Sequence, residues 1–460
     1  MAVWSVVRKS ELQRAIRIDA EYYQPQYLLL DKEFSSGKLN LVEIRNLSIF
    51  VKKGIFDISP DKYISEGIPL IRVQNIRSGF LDYNNMVFIS EEEHLKYKKT
   101  EIAEGDLVLS KVGTIGEVAI VTQKDGKCNF SQNTIGIKVN KKKIKSEYLL
   151  LYLLSKLGQL QLQRSQMFQV QSKLELEDIR DLKVVLLDEL KQEELEKKLI
   201  EIITLRHQSK SLYSQAEQIL LEELGLKDLD LKDDLFYTTT FKEIKNNNRM
   251  DAYFFQPKFN KYLAKIVKKY ELKKIRDLSR NITTGQYCDE YVNEQIGVPY
   301  IRGADISNAN INMDSLVYID REKQITSKKA KEGDVVTTRV GTIGLVARIP
   351  KELEGATISD NLIRIRLPQK SDISSYYLTM YLNSPIGKDL MVRYSRGSVQ
   401  QRLNQETLKE IPVPIIAKSQ QSRIEEFLIN SWERQKQAKN LLEQAKKKVE
   451  EMIEKEAGVR

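Results

Sequence analysis

The sequence predicts an α+β protein in which two similar mixed α/β domains are separated by two long antiparallel coiled-coil helices, in a pseudo-two-fold arrangement. Three observations predict this fold. Several sequence blocks occur twice in the same order. Each copy contains short β-branched runs bounded by Gly and Asn, which are typical of strands. Each copy then continues into a long stretch with apolar residues three and four positions apart, which is typical of a helix.

The internal repeat decides the architecture, because self-similarity at a nearly fixed offset indicates that one structural unit occurs twice. The best-matched blocks, EGDLVLSKVGTIG and EGDVVTTRVGTIG, are identical at nine of thirteen positions. The matched pairs of segments are 17–25 with 249–257, 68–76 with 298–306, 104–116 with 332–344, 129–139 with 357–367, and 148–153 with 377–382. Their offset stays between 228 and 232, so we expect two copies of one unit, at about 17–224 and 249–453.

The first part of each copy is predicted to be strand-rich, over about 40–187 and 271–416. LVLSKV, EVAIVT and TIGIKV in the first copy, and DVVTTRV, LVARI and NLIRIRL in the second, are the strand candidates. Short helices are expected at 146–157 and 374–383. IPVPII at 411–416 contains two prolines, which restricts it to an edge strand or an extended segment.

The second part of each copy is predicted to be one long helix. Residues 189–224 and 418–456 contain no Gly or Pro and carry a coiled-coil seam with polar and small residues in its middle. The seam residues are Leu195, Leu199, Ile202, Arg206, Ser209, Tyr213, Ala216 and Leu220, and Ile424, Leu428, Ser431, Gln435, Ala438, Leu442, Ala445 and Val449. A helix of ~35 residues is roughly 50 Å long. Neither seam can stay exposed to water, so the simplest partner of each helix is the other.

These elements divide the chain into predicted parts. They are a first domain at 1–187, a first spacer helix at 188–224, a connector at 225–248, a second domain at 249–416 and a second spacer helix at 417–460. The two copies diverge at 52–67 against 283–297 and at 73–103 against 303–331. Divergence of this kind is typical of surface loops.

Composition narrows the class of function. The chain has 460 residues, a net charge of +10 and a pI near 9.1, which favours a polyanionic partner only weakly. Two cysteines, Cys128 and Cys288, and two histidines, His94 and His207, are too few and too dispersed for a disulfide scaffold or a zinc site. No stretch is long and apolar enough to span a membrane, and the N-terminus lacks a signal-peptide core, so a cytoplasmic protein is expected.

Signatures of catalysis are also missing from the sequence. It contains no P-loop G-x-x-x-x-G-K-[ST], no G-x-G-x-x-G after a strand, and no Asn/Asp-Pro-Pro-aromatic motif of amino-methyltransferases. We therefore expect a chain without catalytic residues, metal ligands or a bound cofactor.

Two similar basic domains held apart by a rigid spacer suit one long ligand with two binding sites. Duplex DNA is the natural case, because half-sites about one helical turn (~34 Å) apart match proteins with two-fold symmetry. The two domains differ in their variable stretches, so the two half-sites are expected to differ as well. The predicted target is bipartite and asymmetric.

Several features together resemble the specificity subunit of type I restriction–modification enzymes: the tandem layout, IPLIRVQNI and VPYIRGADI, the paired EGDxVxxxVGTIG blocks, and GSVQQRLNQETLKEIPVPII at 397–416. The resemblance covers essentially the whole chain. It implies two target-recognition domains, a helical ruler between them, and docking of two methyltransferase (M) subunits, with restriction/translocase (R) subunits as further partners. In such complexes the partners carry the S-adenosylmethionine and ATP chemistry. The first copy departs from the pattern where Phe168 and Gln169 replace the Gly-Ser of 397–398.

Candidate DNA contacts include positions that both copies share. Lys111 and Arg339 occupy the same place beside the Gly-Thr-Ile-Gly turns and suit phosphate contacts. The turns themselves are either phosphate clamps or tight turns with positive φ, and the second interpretation is favoured. Arg72 and Arg302 also coincide. Arginine can contact guanine, but a shared residue is expected to position the backbone or stabilise the fold.

Base recognition is expected from residues that differ between the copies. The candidates are Lys52, Lys53, Gln74, Asn75 and Arg77 in the first copy, and Thr283, Thr284, Gln286, Tyr287 and Asp305 in the second. Gln171, Gln400, Gln401 and Arg402 precede the last segment of each domain and are further candidates. Alternatively, Ser398 caps a helix at 399–410.

Two other classes of function are compatible with the sequence. One is a coiled-coil scaffold that gathers proteins and never binds DNA. The other is an unrecognised hydrolase or transferase. Sequence-specific duplex binding with a steep salt dependence discriminates DNA recognition from the scaffold, and activity of the purified single chain would support the enzyme.

Overall fold

The computed structural model describes residues 4–8, 12, 19–56, 58–165, 173–227, 232–307, 309–397 and 401–458. The chain separates into two compact units. The first unit consists of Met1–Leu205 and Lys436–Arg460, and the second of Arg206–Gln435. The boundaries between the units fall inside both long helices. The sequence instead predicted that each long helix would be a separate part of the chain. Within the described residues, none of the helices combines the length and apolar character needed to cross a membrane.

The first unit is built from short strands and helices. Its strands are β1 (Leu41–Glu43), β2 (Ser48–Lys53), β3 (Ile68–Ile71), β4 (Ile76–Arg77), β5 (Gly79–Leu81), β6 (Val87–Ile89), β7 (Leu107–Ser110), β8 (Val118–Ile120), β9 (Asn129–Phe130), β10 (Thr134–Val139) and β11 (Lys183–Val185). Its helices are α1 (Pro25–Phe34), α2 (Ile44–Leu47), α3 (Glu91–Lys96), α4 (Ser146–Leu154), α5 (Lys156–Arg164), α6 (Leu176–Arg180) and the first half of α7 (Glu189–Glu223). They form a six-stranded sheet in the order β2-β10-β7-β8-β5-β4, a three-stranded sheet in the order β6-β3-β9, and the pair β1-β11.

The second unit contains counterparts of most of these elements. Its helices are α8 (Phe241–Asn247), α9 (Pro257–Val267), α10 (Ile275–Leu278), α11 (Ser375–Asn383), α12 (Pro385–Tyr394), α13 (Gln405–Lys409) and the first part of α14 (Lys418–Glu456). Its strands are β12 (Leu272–Lys274), β13 (Asn281–Thr284), β14 (Gly297–Ile301), β15 (Ile306–Ser307), β16 (Asn310–Ile311), β17 (Val317–Asp320), β18 (Val335–Thr338), β19 (Val346–Arg348), β20 (Thr357–Ile358), β21 (Leu362–Arg366) and β22 (Pro412–Pro414). The sheets are β13-β21-β18-β19, β17-β14-β20, β12-β22 and β15-β16.

The two units repeat one sheet topology. The strand order β2-β10-β7-β8 of the first unit recurs as β13-β21-β18-β19 in the second, and each three-stranded sheet combines one antiparallel and one parallel pair. The units differ at a hairpin. Parallel pairing of β5 with β8 adds β4 and β5 to the large sheet, whereas β15 and β16 pair only with each other. The prediction of two similar mixed α/β domains is confirmed.

The repeated EGD block builds the turn before a central strand of each large sheet. Gly105 and Gly333 have φ values of 84° and 82°, a conformation that favours glycine. The next residue, Asp106 or Asp334, is buried and accepts a hydrogen bond from the backbone N–H three residues earlier, at 2.9 Å and 2.8 Å. The strands predicted from β-branched runs are β7, β8 and β10 in the first unit and β18, β19 and β21 in the second.

The repeated YLLLYL and YLTMYL segments form α4 and α11, and their tyrosines explain the repeat. In α11, the hydroxyls of Tyr377 and Tyr381 donate to backbone oxygens of β22 at 2.7 Å and 2.8 Å. In α4, Tyr148 and Tyr152 donate to backbone oxygens of β11 in the same way. Each helix is thereby fastened to a two-stranded edge pair. The proline-rich IPVPII segment contributes β22 to such a pair, as an edge strand, in agreement with the prediction.

The long helices α7 and α14 have 35 and 39 residues. In the first unit, their predicted seam residues share one buried core; these are Leu195, Leu199 and Ile202 with Ala438, Leu442, Ala445 and Val449. Lys191 pairs with Glu456, and the Nζ atom of Lys448 lies 3.6 Å from Glu194. Residue numbers rise along α7 while they fall along α14, so the segments run antiparallel in this unit.

The second unit contains the other halves of the same helices. Ala216 and Leu220 share a buried core with Ile424 and Leu428. Nearer the middle of the seam, the hydroxyl of Ser431 donates to the backbone oxygen of Ser209 at 2.8 Å. The predicted seam with small and polar residues in its middle is thus confirmed within each unit.

One of the two alternatives for residues 398–410 is wrong in its helix boundary. That alternative was a helix at 399–410 with Ser398 as its cap, but α13 begins at Gln405. Its cap is Asn404, whose Oδ1 accepts a hydrogen bond from the backbone N–H of Thr407 at 2.9 Å. Asn and Ser are both favoured at the N-cap of a helix, and in this helix the N-cap is an asparagine. Ser398 lies outside the described residues.

Candidate nucleic-acid interface

In each unit several loops meet at one short loop, which we call the junction loop. It comprises residues 131–133 in the first unit and 359–361 in the second. In the first unit the loop forms two backbone N–H to oxygen hydrogen bonds, both of 2.9 Å. One joins it to Ile71 at the end of β3, and the other joins it to Lys111 after β7. The preceding residue, Phe130, accepts a hydrogen bond from Ile55 after β2 at 2.8 Å. The loops that follow β2, β3 and β7 therefore converge at one place.

The second unit forms the same junction with different side chains. The backbone of its junction loop is bonded to Ile301 at 2.8 Å and to Arg339 at 3.1 Å. Ile358 accepts a hydrogen bond from the N–H of Gln286 at 2.8 Å. These bonds involve only backbone atoms, so the side chains on the three converging loops are free to differ between the units.

A glycine that the sequence comparison did not align holds each junction together. A Cβ atom on Gly54 would lie 2.2 Å from the backbone oxygen of Phe130, and one on Gly285 would lie 2.1 Å from that of Ile358. No side chain fits at such distances. The two glycines were missed because they lie inside the stretch where the copies diverge most, where only the strand register reveals that they correspond.

The junction of the first unit carries a group of cations, which we call the lysine cluster: Lys53, Lys111 and Lys173 around Glu175. The Nζ atoms of Lys53 and Lys173 lie 3.5 Å and 3.0 Å from the carboxylate of Glu175. Burial lowers the pKa of Lys111, and the nearby Lys53 lowers it further. Three lysines against one glutamate leave a net charge of +2, so the cluster suits an anion. Lys173 was not predicted, because it lies in the stretch where the first copy departs from the second.

The second unit carries cations at corresponding places. Arg339 takes the place of Lys111, and its Nη1 atom lies 3.3 Å from the backbone oxygen of Asp360 in the junction loop. Leu403 donates its N–H to the backbone oxygen of Arg339 at 2.9 Å, which brings the exposed Arg402 to the position of Lys173. Asn404 replaces Glu175. Arg339 and Arg402 against Asp360 of the junction loop leave a net charge of +1. The two guanidinium groups can each bind phosphate with two hydrogen bonds.

Arg72 and Arg302 stabilise the turn after β3 or β14 in their own units, as expected for shared residues. The guanidinium of Arg72 donates to the backbone oxygen of Asn85, and that of Arg302 donates to the backbone oxygen of Ser315 at 2.6 Å. Each also faces a tyrosine ring: Tyr63 lies 6.0 Å from Arg72, and Tyr291 lies 5.8 Å from Arg302. These partners leave less of each guanidinium available to a base.

The predicted base contacts by Asn75 and Asp305 conflict with their burial. Both side chains are fully buried. Asn75 accepts a hydrogen bond from the N–H of Arg72 at 3.1 Å and donates to Asp82 at 3.0 Å. Asp305 accepts from the N–H of Arg302 at 2.8 Å and forms an ion pair with its guanidinium at 3.1 Å. Both residues cap the turn, and we remove them from the candidate contacts.

The Gly-Thr-Ile-Gly segments are tight turns, as favoured above. Gly113 and Gly116 have φ values of 75° and 87°, and Gly341 and Gly344 have values of 75° and 86°. In both units a strand hydroxyl closes the turn by donating to the backbone oxygen of the threonine. The turn residues Gly113 and Gly341 are exposed beside Lys111 and Arg339. The phosphate contact predicted for these two cations stays a prediction.

Three further candidates have side chains that are already engaged within the protein. The Nζ atom of Lys52 lies 4.5 Å from the centre of the Phe50 ring. The hydroxyl of Thr283 accepts a hydrogen bond from Lys328 at 3.0 Å. Gln286 uses both ends of its amide, donating to Lys323 at 2.6 Å and accepting from the N–H of Ile325 at 2.9 Å. A base contact by Gln286 would require breaking both bonds, so we also remove it from the candidate contacts.

The remaining candidates lie on exposed turns and loops, at the end of a strand, or outside the described residues. Gln74 is exposed on the turn after β3, close to the Gly-Thr-Ile-Gly turn, and Tyr287 is exposed two residues after the junction glycine Gly285. Thr284 lies at the end of β13, where its hydroxyl accepts from Gln405 at 3.2 Å. Arg77 is exposed on the β4–β5 hairpin, and Gln401 is exposed before α13. Gln171 and Gln400 lie outside the described residues.

Comparison with known proteins places this architecture in a family. The family model described as "Type I restriction modification DNA specificity domain" matches the chain twice, at residues 40–211 and 267–447. The chain belongs to the type I restriction–modification specificity family. Its two matched segments contain the two junction loops and most of both long helices.

Relatives of this family are similar over parts of their length. The chain is 32% identical over 124 residues to the type I restriction enzyme EcoBI specificity subunit of Escherichia coli, which is 27% of this chain and 26% of that protein. It is 28% identical over 170 residues to the MjaIX specificity subunit of Methanocaldococcus jannaschii, which is 35% of this chain and 38% of that protein. A solved S subunit from M. genitalium covers 91% of this chain and 96% of its own length, with 11% identity and a TM-score of 0.41.

Proposed function

We propose that this chain is the DNA sequence-recognition subunit of a type I restriction–modification complex. Each domain recognises one half of a bipartite, asymmetric target in double-stranded DNA, and α7 and α14 set the spacing between the halves. The same helices dock two methyltransferase subunits, and restriction/translocase subunits are further partners. The chain itself is non-catalytic and acts in the cytoplasm, while its partners supply the S-adenosylmethionine and ATP chemistry.

The observation that carries this proposal is the doubled junction loop with its cations. In both units a backbone network of the same form brings three loops together. In both units the cations beside it exceed the carboxylates. Contacts to phosphate position a protein on DNA, and contacts to base edges supply specificity. A shared cationic position next to loops of variable sequence fits this division of roles.

The differences between the units support an asymmetric target. The lysine cluster of the first unit becomes arginines and neutral side chains in the second. Exposed residues such as Gln74 and Tyr287 have no identical counterpart in the other unit. Two recognition surfaces with one backbone frame and different side chains are expected to bind different base sequences.

A domain exchange tests the proposal. Residues 40–187 are replaced by the matching region of another specificity subunit, and the methylated sites of a host that carries the complex are sequenced before and after. We expect one half of the target to change and the other half to stay the same. A change in both halves would contradict independent recognition by the two domains.

DNA binding by the unmodified chain tests the underlying activity. The chain with its methyltransferase subunits is titrated with target and non-target duplexes at several salt concentrations. We expect preference for the target and an affinity that falls steeply as salt rises, because neutralised phosphates release counterions. Affinity that is indifferent to both sequence and salt would favour the coiled-coil scaffold instead.

A further inference from the structure

We propose that Phe56 and Tyr287 are equivalent specificity-determining residues, each of which packs its ring against base edges in one half of the target. This inference rests on the proposed function and adds named residues to it. Neither the family match nor the relatives assign a role to these two positions.

The two residues occupy the same position in their units. In the first unit Lys53 pairs with Ile135 at the end of β2, and in the second Thr284 pairs with Ile363 at the end of β13. Ile135 and Ile363 correspond in the sequence repeat. Counting three residues onward from each strand end therefore gives Phe56 and Tyr287. The sequence comparison named only Tyr287, because the stretch between the aligned blocks differs in length.

The backbone that carries each ring is held by the junction. Ile55 donates its N–H to the oxygen of Phe130 and forms a parallel bridge with Ser131. Gln286 makes the same hydrogen bond to Ile358 and the same bridge to Ser359. The glycine just before each of these residues is packed too closely for any side chain. A ring attached one residue later is therefore presented from a fixed base, which lowers the entropy lost on binding.

Both rings are exposed to solvent, although aromatic rings are more stable when they are buried. Phe56 is 73% exposed and Tyr287 is 68% exposed, whereas the neighbouring Ile55 is only 3% exposed. An exposed isolated apolar residue is ordinary on a protein surface. Two large aromatic rings exposed at one equivalent position of a duplicated fold are less easily explained without a ligand. Aromatic rings supply large contact areas at low entropic cost, since each has only two rotatable bonds.

The cations near the rings, most clearly those beside Phe56, favour DNA as that ligand. Phe56 follows Lys52 and Lys53 in sequence, and Lys53 belongs to the lysine cluster. In the second unit, Arg339 donates to the oxygen of Asp360, and the N–H of Asp360 donates to Gln286, the residue before Tyr287. Tyr287 also lies near the carboxylates of Asp289 and Asp360, which raise the pKa of its hydroxyl, so its surroundings carry charges of both signs. A ring beside a cation suits a ligand with phosphate and an apolar edge close together. Base pairs present such edges in the grooves, including the thymine methyl group.

The two rings differ in a way that suits different half-sites. The hydroxyl of Tyr287 donates to the carboxylate of Asp289 at 3.2 Å, which orients the ring and places a polar group at its tip. Phe56 has no such group. We therefore expect the two half-sites to differ at the base pairs that these rings contact.

Binding by alanine variants of the full chain, assembled with its methyltransferase subunits, tests the inference. Phe56→Ala and Tyr287→Ala are each titrated with the target duplex, with a non-target duplex and with targets that carry single base-pair changes throughout both halves. Phe236→Ala serves as a control, since this ring is 93% exposed and lies in the connector. Phe56→Leu and Tyr287→Phe retain apolar area at the two positions.

Each alanine variant is expected to lose about 10-fold in affinity for the target, which matches a base contact of ordinary strength, and to lose much less for non-target DNA. The penalty for base changes should flatten in one half only, and in different halves for the two variants. Phe236→Ala should behave as the unmodified chain. The two conservative variants should lose less than the alanine variants.

Three results would overturn the inference: no loss, equal loss on target and non-target DNA, or loss of methyltransferase assembly instead of DNA binding. The last result would assign the rings to a protein contact. Failure of the unmodified chain to prefer its target would contradict the proposed function itself. The two failures are thus distinguishable within one experiment.

Discussion

The large sheets of the two units have the same order over four strands, but different side chains pack against them at one corresponding position. This position is Gly136 of β10 in the first unit and Arg364 of β21 in the second. In the first unit the ring of Phe130 occupies the space next to Gly136, so that a Cβ there would lie 2.3 Å from the ring. In the second unit Ile358 replaces that ring, and the buried Arg364 extends to the backbone oxygen of Lys329 at 2.6 Å. The same backbone frame therefore tolerates compensating exchanges of side chains.

The carboxylate beside this position shows the consequence of the exchange. Asp334 receives two hydrogen bonds from Arg366, both of 2.7 Å, and lies 3.7 Å from Arg364. Its counterpart Asp106 accepts only backbone N–H groups, from Ala103 at 2.9 Å and from Val139 at 3.1 Å. The same aspartate is thus part of a buried ion cluster in one unit and a backbone cap in the other.

Replacing each of the two aspartates by asparagine tests this difference. Asp334→Asn leaves two buried or half-buried guanidinium groups without their carboxylate, and we expect it to destabilise the second unit by about 3 to 5 kcal/mol. Asp106→Asn removes one neutral-donor hydrogen bond and should destabilise the first unit by about 1 to 2 kcal/mol. Amide hydrogen exchange on β18 and β7 measures the two effects separately. Equal losses in both units would show that the arginines contribute little.

The pH dependence of the smaller effect has a definite sign. Burial raises the pKa of Asp106, so the folded protein binds this proton more tightly than the unfolded chain does. The stabilisation from Asp106 is then greatest at low pH and declines as pH rises from the usual carboxyl range to the raised value. Asp106→Asn should therefore cost more stability at pH 4 than at pH 7, as measured by urea unfolding at both pH values.

Lys111 and Arg339 occupy the same position beside the two junction loops and can be tested for the same role. Lys111→Ala and Arg339→Ala should each lower DNA affinity by roughly 5- to 10-fold and reduce the slope of log affinity against log salt by about 1, if each contacts one phosphate. The loss should be the same on target and non-target DNA. Lys142→Ala, an exposed lysine in the first unit, is the matched control. A loss confined to target DNA would assign the residue to base recognition.

A smaller effect concerns His94 and its counterpart Gln324. The ring nitrogens of His94 lie 2.6 Å from Asn129 and 2.9 Å from Glu101, whereas Gln324 donates to Thr357 at 2.8 Å. We expect His94→Gln to keep the first contact, to lose the second, and to destabilise the first unit by about 1 kcal/mol. Thermal unfolding measures the change, and a variant as stable as the original chain would show that the Glu101 contact contributes nothing.

The pH dependence of that variant follows from Glu101. Burial opposes ionisation, but hydrogen bonds from Lys98 and His94 prevail and lower the pKa of Glu101. Stabilisation from a carboxyl with a lowered pKa is present above its usual value and is lost as pH falls. The difference between His94→Gln and the original chain should therefore shrink as the pH is lowered towards 3.

The smallest effect compares the middle of the helix pair in the two units. Ser209 and Ser431 of the second unit correspond, at an offset of 229, to Ala438 and Ile202 of the first. Ser431→Ala removes two buried contacts of the Ser431 hydroxyl, one with the backbone oxygen of Ser209 at 2.8 Å and one with the Ser209 hydroxyl at 3.2 Å. We expect a cost of about 0.5 to 1.5 kcal/mol, since the backbone oxygen of Ser209 then lacks this partner. Urea unfolding followed by Trp432 fluorescence measures the change. A stabilised variant would mean that burial of the methyl group outweighs the lost bond.

Much of the fold could be predicted because its signals are periodic. The seam of α7 and α14, the β-branched strands and the EGD turns depend on spacing and on glycine conformation, which are local properties of the sequence. The site was harder to predict. Asn75 and Gln286 looked like exposed polar residues but are engaged in hydrogen bonds, and Phe56 and Lys173 were overlooked because they lie in unaligned stretches.

By itself, the sequence determined that this protein is a duplicated α+β chain with long paired helices, because repeats and apolar spacing survive without knowledge of contacts. Which residues meet depends on contacts between distant parts of the chain. Gly54 and Gly285 correspond because both backbones pass within contact distance of the strand before a junction loop, and such a distance is set by strand pairing between residues far apart in the chain. For the same reason, burial distinguished capping residues from exposed candidates of the same polarity.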